Sequence, residues 1–368
     1  MQVIRYHQSK IVKFFLGLMV IGLMAGAYGF YQGHDHAFNN TREVPWGLLI
    51  SSYAFFAISS TGLCITGALG HVLKSKTIEK HSNNILLGSV ISMLGAFTII
   101  GMELESPWRM IIYNVISPGL TSNIWWMGTL YGMALGIMLF ELYLIYKKKY
   151  KTALGLGIAG VVAEVLANTN LGAVFATMSS TPLWFGSQLP IFFLLCAVVS
   201  GIAITALIVC YFDKKDINGM QMLSKLMITG ISLIAVSTMW KYIAIAAGGS
   251  ELAKLGMLTL LTGTLSVPFW VFEIGLGIII PLILLAWFLY YKKPWVMVAG
   301  ASSLMIGQFV GKYNLIVAGQ SINPMTMALT VYVPSVTEYL IILLAIGLIG
   351  YLWCTGRSFQ KDIGMITV

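Results

Sequence analysis

Ten stretches of the chain, each about twenty or more residues long, are almost continuously apolar, and polar residues gather between them. A helix rises about 1.5 Å per residue and the hydrocarbon core of a bilayer is about 30 Å thick, so such runs predict membrane-spanning helices. The eighth run contains Pro268 and Pro281, which predict a kink or an interfacial first turn. The predicted spans are residues 11–31, 46–73, 84–104, 123–146, 152–178, 189–212, 223–247, 258–290, 295–317 and 335–355.

Lysine and arginine collect in alternate loops between these runs. With the N-terminus taken as cytoplasmic, seventeen of the 22 basic residues lie in cytoplasmic segments. The outer loops hold Arg42, Arg109 and Lys254, whereas Lys241 and Lys312 fall within spans. Basic residues resist translocation, so the alternation predicts that both termini are cytoplasmic and supports the count of ten spans. We expect an all-α, multi-pass protein of the cell (inner) membrane.

Composition agrees with a membrane location. The chain is 58% apolar and 10% charged, and its mean hydropathy is +0.85, which leaves too little polar surface to cover a soluble globule. The net charge of +9 follows the loops of one membrane face. We therefore expect no nucleic-acid partner.

The order of the spans predicts two four-helix bundles with flanking helices. We assign residues 1–45 to an N-terminal helix and outer loop, 46–178 to the first bundle, 179–317 to the second bundle and 318–368 to a C-terminal helix and tail. Both bundles open near a proline, in PWGLLISSYAFFAISSTG and LPIFFLLCAVVSGIA, and Glu141 has a rough counterpart in Glu273. A parallel repeat explains these features, and so does shared membrane composition.

Cysteine and histidine argue against a redox centre held by this chain. The four cysteines are far apart, whereas iron–sulfur and zinc sites need clustered thiolates. The five histidines lie in loops or near span ends, so no two can meet across a bundle core as haem ligands. His34, Asp35 and His36 have the chemistry of a metal site, but a solvated loop is the more economical interpretation. We expect no haem, no iron–sulfur cluster and no metal.

Ionisable side chains within spans are costly, which makes each one a functional hypothesis. Lys241 and Lys312 could form structural ion pairs with Glu273 or Glu338 in and beside the second bundle. Glu141 and Glu164 have no evident cation in the first bundle, so they suit a proton relay instead. By depth, Glu164 lies near the middle of the membrane, and Glu141 lies within about two turns of the cytoplasmic end.

The segment ELESPWRMIIYNVISPGLTSNIWWMGTLYG, residues 103–132, is unusual for an outer loop. Its prolines, tryptophans and asparagines predict an ordered cap over the first bundle. An interfacial aromatic belt accounts for the tryptophans. It does not account for Glu103, Glu105 and Arg109.

Several segments, taken in their order along the chain, give it a resemblance to a known family. They are VPWGLLISSYAFFAISSTG, ESPWRM with SPGLTSNIWW, LGAVFATMSSTPLWFGSQLPIFF, PFWVFEIGLG, KYNLIVAGQ and YVPSVTEYL. The chain resembles the NrfD/PsrC family, the membrane subunits of polysulfide reductase, and within it the ten-span HybB-like branch. The segments cover spans two to ten.

The resemblance implies a haem-free membrane subunit that binds menaquinone or ubiquinone near the outer face. It implies electron exchange with a ferredoxin-like iron–sulfur subunit docked there, and a separate catalytic subunit, which is a molybdopterin enzyme, a hydrogenase or a multihaem cytochrome. Two departures from the family pattern matter. LANTNLG carries Ala167, Asn168 and Asn170 where histidine is frequent, and Lys312 replaces an arginine, which keeps the charge but loses the planar fork.

A quinone site needs an apolar slot, donors for two carbonyl oxygens and a proton route, and the first bundle offers all three. The candidate quinone contacts are Tyr53, Tyr131, Asn168 and Asn170, with Glu103, Glu105 and Arg109 at the mouth and Glu164 and Glu141 leading inward as a proton path. Two alternatives remain open. Ten helices with buried acids also suit a secondary transporter, and a passive membrane anchor of a redox complex would keep only the tethering role.

Overall fold

The structure is a computed structural model that describes the backbone of residues 2–362 and the side chains of residues 9–360. Residues 363–368, the end of the predicted C-terminal tail, lie outside the described residues. The helices, in chain order, are α1 (Gln2–Gln32), α2 (His34–Ala37), α3 (Leu48–Val72), α4 (Lys76–Lys80), α5 (Ser82–Glu103), α6 (Pro107–Ile116), α7 (Asn123–Tyr146), α8 (Tyr150–Ala176), α9 (Gln188–Phe212), α10 (Ile217–Gly248), α11 (Glu251–Leu261), the π-helical segment Pro268–Ile279, α12 (Ile280–Tyr291), α13 (Pro294–Gln320) and α14 (Val336–Asp362).

Within the described range, ten helices are long and apolar enough to cross a membrane. The expectation of an all-α integral membrane protein with ten spans is confirmed. The predicted eighth span, 258–290, is wrong at its start, because α11 ends at Leu261 and the spanning helix begins at Pro268. Proline at a first helical position is favourable because its missing N–H needs no partner there. The proline therefore starts this helix, and the preceding apolar residues belong to a separate short helix.

The first turns of the eighth spanning helix are π-helical, over Pro268–Ile279. Wide π turns are rare and usually short, and they often occur at functional positions. A hydroxyl of α13 supports this segment, since Ser303 Oγ donates a hydrogen bond of 2.7 Å to the Leu276 carbonyl. Glu273 lies in the middle of the segment, which places this acid on an irregular part of the backbone.

The spanning helices pack in two rings of four. In the first ring α3, α5, α7 and α8 contact one another in that order, and α8 closes the ring on α3. In the second ring α9, α10, the helix 268–291 and α13 do the same. Helix α14 packs on α5, and α1 packs on α14. The domain boundaries assigned from the sequence, and the parallel repeat, stay predictions.

Glycines bring the two rings into contact where α3 crosses α9. A Cβ on Gly62 would overlap the carbonyl of Ala197 and lie 2.7 Å from the backbone nitrogen of Gly201. A Cβ on Gly201 would overlap the backbone of Gly62 in the same way. Small residues let membrane helices approach closely enough for backbone packing. The two bundles therefore share a seam of direct backbone contact.

Successive spans alternate in direction, so the loops gather at two ends of the molecule. The lysine-rich end is formed by residues 73–81, 147–149, 213–216 and 292–293, and the cap end by residues 33–47, 104–122, 177–187, 249–267 and 321–335. The segment predicted to be an ordered cap contains α6, which lies at the cap end and contacts α7. That the lysine-rich end faces the cytoplasm stays a prediction.

Candidate functional site

A carboxyl group lies at the centre of the first bundle. Glu164, in the middle of α8, is fully buried and accepts two hydrogen bonds from α3. Thr61 Oγ1 donates to one carboxyl oxygen at 2.6 Å, and Ser60 Oγ donates to the other at 3.1 Å. These bonds across the helix interface compensate part of the cost of burying a polar group in an apolar core.

The hydroxyl network continues from α3 to α5. Ser60 Oγ and Ser89 Oγ are 3.0 Å apart, and Cys64 Sγ lies 3.3 Å from Ser89 Oγ. We call Ser60, Thr61, Ser89 and Glu164 the first-bundle polar cluster. Sequence reasoning missed its three hydroxyl residues, although the run SSTGLC in α3 was a visible signal, since hydroxyls are the usual partners of a carboxyl group in a membrane interior.

Two tyrosines lie in the same core. Tyr53 on α3 and Tyr131 on α7 are both buried, with their ring centroids 6.5 Å apart in an edge-to-face arrangement. The Tyr131 hydroxyl lies near Thr61 but, among the described residues, has no partner at hydrogen-bond geometry. The structure therefore brings Tyr53, Tyr131 and Glu164 into one bundle core, as expected.

Asn168 is the most unusual residue of this core. It lies one helical turn from Glu164 on α8 and is fully buried. Neither its amide nitrogen nor its amide oxygen has a hydrogen-bond partner among the described residues. An unpaired buried polar group costs about 1–3 kcal/mol. An amide that offers both a donor and an acceptor, and uses neither within the protein, is suited to bind a polar ligand.

Asn170, two residues further along, has a structural contact instead. Its amide nitrogen donates a hydrogen bond of 2.7 Å to the carbonyl of Asn123, the first residue of α7. Asn123 in turn donates to Thr177 Oγ1 at 3.0 Å. These bonds fix the cap ends of α7 and α8 together. The two asparagines of LANTNLG thus differ sharply in how far the protein itself satisfies them.

The three charged residues predicted at the mouth lie at the cap end, but they do not form one cluster. Glu103, the last residue of α5, accepts a hydrogen bond of 3.0 Å from Asn40. Glu105 and Arg109 are exposed, and no described carboxylate pairs with Arg109 within 4.0 Å. Arg109 lies in α6, whose isoleucines and tryptophan are exposed. This amphipathic helix has the character of an interfacial element.

Glu141 lies near the lysine-rich end of α7, five residues before the helix ends at Tyr146. Its carboxyl group packs against Gly157 of α8, where a Cβ would lie 2.7 Å from Glu141 Oε1. The thiol of Cys64 makes its last polar contact with Met138 Sδ, at 3.4 Å, one turn before Glu141. The polar chain from Glu164 therefore reaches Cys64, and a thioether separates it from Glu141.

The ion pairs predicted for the second bundle are not formed within 4.0 Å among the described residues. Glu273 accepts a hydrogen bond of 2.7 Å from Asn314 instead. Lys312 donates to Cys196 Sγ at 3.2 Å and lies over the Phe192 ring, 5.1 Å from its centroid. Side chains two residues apart on a helix point about 200° apart. Because Asn314 faces Glu273, Lys312 faces the other way, toward α9.

Lys241 and Glu273 line a common cavity of ≈ 20 Å³, with Gln188 and Ser237 on its wall. Gln188 Nε2 donates to Ser237 Oγ at 2.9 Å. A cavity of this size holds about one water molecule. The buried lysine and glutamate of the second bundle are therefore arranged around a small polar space and not in direct contact.

Glu338 has no lysine partner either, because it stabilises the start of α14. Ser335 N donates to Glu338 Oε2 at 2.7 Å, and Glu338 N donates to Ser335 Oγ at 3.2 Å, which forms a capping box. The Tyr332 hydroxyl donates to the other oxygen. Burial, together with the Glu338 carboxylate, raises the pKa of Tyr332 well above its usual range. Glu338 therefore organises the cap end.

With this geometry in view, comparison with known proteins identifies the family. A family profile described as "Polysulphide reductase, NrfD" matches residues 37–324. The chain belongs to the NrfD family. The match includes the whole first bundle and most of the second, so the first-bundle polar cluster and Asn168 lie within the family domain.

Three relatives place this NrfD-family chain among membrane subunits. It is 21% identical over 292 residues to one of the named subunits of the selenate reductase of Mesobacillus selenatarsenatis, covering 67% of each chain. It is 25% identical over 329 residues to an NrfD homolog of Haemophilus influenzae, covering 76% of this chain and 96% of the relative. A protein of Nitratidesulfovibrio vulgaris is 26% identical over 199 residues, and the match spans about half of each chain.

Proposed function

We propose that the chain is the quinone-interacting, haem-free membrane subunit of a respiratory reductase complex. In this role it exchanges electrons between a membrane quinone, either menaquinone or ubiquinone, and an iron–sulfur partner at the cap end. Support comes from membership of the NrfD family and from similarity to a named subunit of a selenate reductase. The proposed complex also contains a separate catalytic subunit.

The observation that carries this proposal is the unpaired amide of Asn168. A quinone headgroup presents two carbonyl oxygens that accept hydrogen bonds and a flat apolar ring. Asn168 Nδ2 and the Tyr131 hydroxyl are both buried and without partners among the described side chains, so both are available as donors. The ring of Tyr53 packs edge-to-face against Tyr131. Because these groups are nearly inaccessible, a headgroup binds only if side chains of α3, α7 and α8 separate.

The depth of Asn168 suits a ligand that approaches from the cap end. Eight residues separate it from Ala176 at the end of α8, which is about 12 Å along the helix. That distance lies within reach of a redox partner docked over α6 and the adjacent loops. Because the four cysteines of the chain are free and dispersed, the iron–sulfur cluster of the proposal belongs to the partner.

The protons that accompany quinone chemistry are handled, in this proposal, by the first-bundle polar cluster. Glu164 lies one turn below Asn168 and holds two hydroxyl donors. Ser89 and Cys64 extend the chain toward the lysine-rich end. A proton passes from there to Glu141 only if a water molecule enters or Met138 moves. The proposed path is therefore gated at Met138.

The proton path is tested by Glu164→Gln and Glu141→Gln in the assembled complex, with Glu79→Gln, an exposed acid at the lysine-rich end, as the control. We expect both path variants to slow quinone turnover or charge translocation and the control to behave as the parent. If both path variants leave both activities unchanged, the relay proposal is wrong.

The whole proposal is tested by purifying the chain from its own membranes with its partners intact. We expect stoichiometric iron–sulfur and catalytic subunits together with bound quinone. A chain that purifies alone and binds a small solute would identify a transporter, and partners without quinone turnover would identify a passive anchor. A chemical cross-link that joins the iron–sulfur subunit to Lys147–Lys151, at the lysine-rich end, would contradict the proposed docking face.

A further inference from the structure

A large apolar cleft lies outside both bundle cores, and nothing in the proposed quinone chemistry uses it. It has a volume of ≈ 720 Å³ and opens between the α1–α14 pair and the seam of the two bundles. Its walls are almost wholly apolar and include Phe56 of α3, Leu207 of α9 and Trp353 of α14. Such a volume exceeds what packing defects leave in a helical core.

The cleft runs along the membrane normal for most of one leaflet. On α9 its wall extends from Ile204 to Phe212, the last residue of that helix, which is about 12 Å. Half of a hydrocarbon core is about 15 Å. The cleft therefore matches the depth of one leaflet at the lysine-rich end, and it ends at the level where lipid headgroups lie.

The headgroup end of the cleft is cationic. Lys214 is exposed and lines the cleft directly. The Arg357 guanidinium lies on the Phe212 ring, 3.5 Å from its centroid, and its Nε is buried without a partner among the described residues. No described carboxylate pairs with either cation within 4.0 Å. Arginine and lysine at such a position can bind a phosphate.

The nearby acids are already satisfied. Asp213 forms an ion pair with Lys80. Asp216 accepts a hydrogen bond from Thr77 Oγ1 at 2.6 Å and another from the backbone nitrogen of Gly219, at the start of α10. The positive charge of Lys214 and Arg357 is therefore left to an external anion at the mouth of an apolar cleft.

We propose that this cleft binds one anionic phospholipid, with an acyl chain between α9 and the α1–α14 pair and the phosphate at Lys214 and Arg357. Basic pockets between transmembrane helices bind anionic headgroups in this way. The lipid would fill the space between the flanking helices and the bundle seam. It would thus couple α14, whose first turn Glu338 organises, to the two bundles.

The test is native mass spectrometry of the full chain in nanodiscs of equimolar phosphatidylglycerol and phosphatidylcholine. We expect one tightly retained phosphatidylglycerol per chain. Lys214→Ala should lower the preference for phosphatidylglycerol about fivefold, the amount one basic residue contributes near a membrane surface. Lys215→Ala, the same charge change at the next residue but outside the cleft wall, should leave the preference unchanged.

A second variant fills the cleft and leaves the cations in place. Leu207→Trp should abolish retention of the lipid, whereas Leu166→Trp, on a lipid-facing part of α8, should retain it. The proposal is overturned if the two phospholipids bind equally, if Lys214→Ala and Lys215→Ala act alike, if Leu207→Trp retains the lipid, or if the retained molecule is a quinone.

Discussion

Replacing Asn168 by leucine should make the free chain more stable and the assembled complex less active. Leucine has a similar volume and no polar atoms, so Asn168→Leu removes two unpaired groups from the core of the first bundle. Leaving a buried polar group unpaired costs about 1–3 kcal/mol, and a near-isosteric swap in a core costs less than about 1.5 kcal/mol. We therefore expect a net gain of about 1 kcal/mol in the free energy of unfolding.

Asn170→Leu is the matched control on the same helix. It removes the 2.7 Å hydrogen bond to the Asn123 carbonyl, so it should destabilise the chain by about 1 kcal/mol. The measurement is the unfolding midpoint in quinone-free detergent, followed by quinone turnover in the complex. Asn168→Leu should raise the midpoint and lower turnover.

A lower midpoint for Asn168→Leu, equal to that of Asn170→Leu, would refute the reasoning. It would mean that the protein itself satisfies the Asn168 amide, for example through a buried water molecule, and that no ligand is needed to explain it.

Three further changes probe the packing around this site. Thr61→Val removes the 2.6 Å hydrogen bond to Glu164 and should cost about 1–3 kcal/mol, read from the unfolding midpoint. Gly62→Leu should prevent the close approach of α3 and α9 and cause aggregation in size-exclusion chromatography, whereas Gly136→Leu, where a Cβ meets open space, should elute as the parent does. Burial lowers the pKa of His81 from 6.5, so the unfolded chain takes up this proton first as pH falls. The resulting loss of stability below about pH 6.5 should be absent in His81→Gln.

The spans could be predicted from sequence because hydrocarbon thickness dictates their length and composition directly. The start of the eighth span could not, because 258–267 is as apolar as a span and only the proline at 268 separates the two helices. The ion pairs failed for a related reason. Depth in the membrane follows from position along a helix, so Lys312 and Glu273 were expected at similar depth, but which face each side chain occupies depends on how α13 is rotated.

The candidate site shows the same division. Glu164 and Asn168 stand out in sequence as polar residues in an apolar helix, and their burial follows. That Thr61 and Ser60 hold Glu164, while Asn170 is satisfied and Asn168 is not, depends on the register between helices. Register is determined by close contacts such as Gly62 against Gly201, which no single-helix pattern specifies.

The central claim is that a quinone headgroup binds beside Asn168 in the first bundle. The most direct test is photo-cross-linking of the purified complex with a photoreactive quinone, with adducts mapped by mass spectrometry. The account predicts adducts on the peptides of α3, α7 and α8 that contain Tyr53, Tyr131 and Asn168, all suppressed by excess menaquinone. Adducts confined to α9–α13, or adducts that excess menaquinone leaves unchanged, would contradict it.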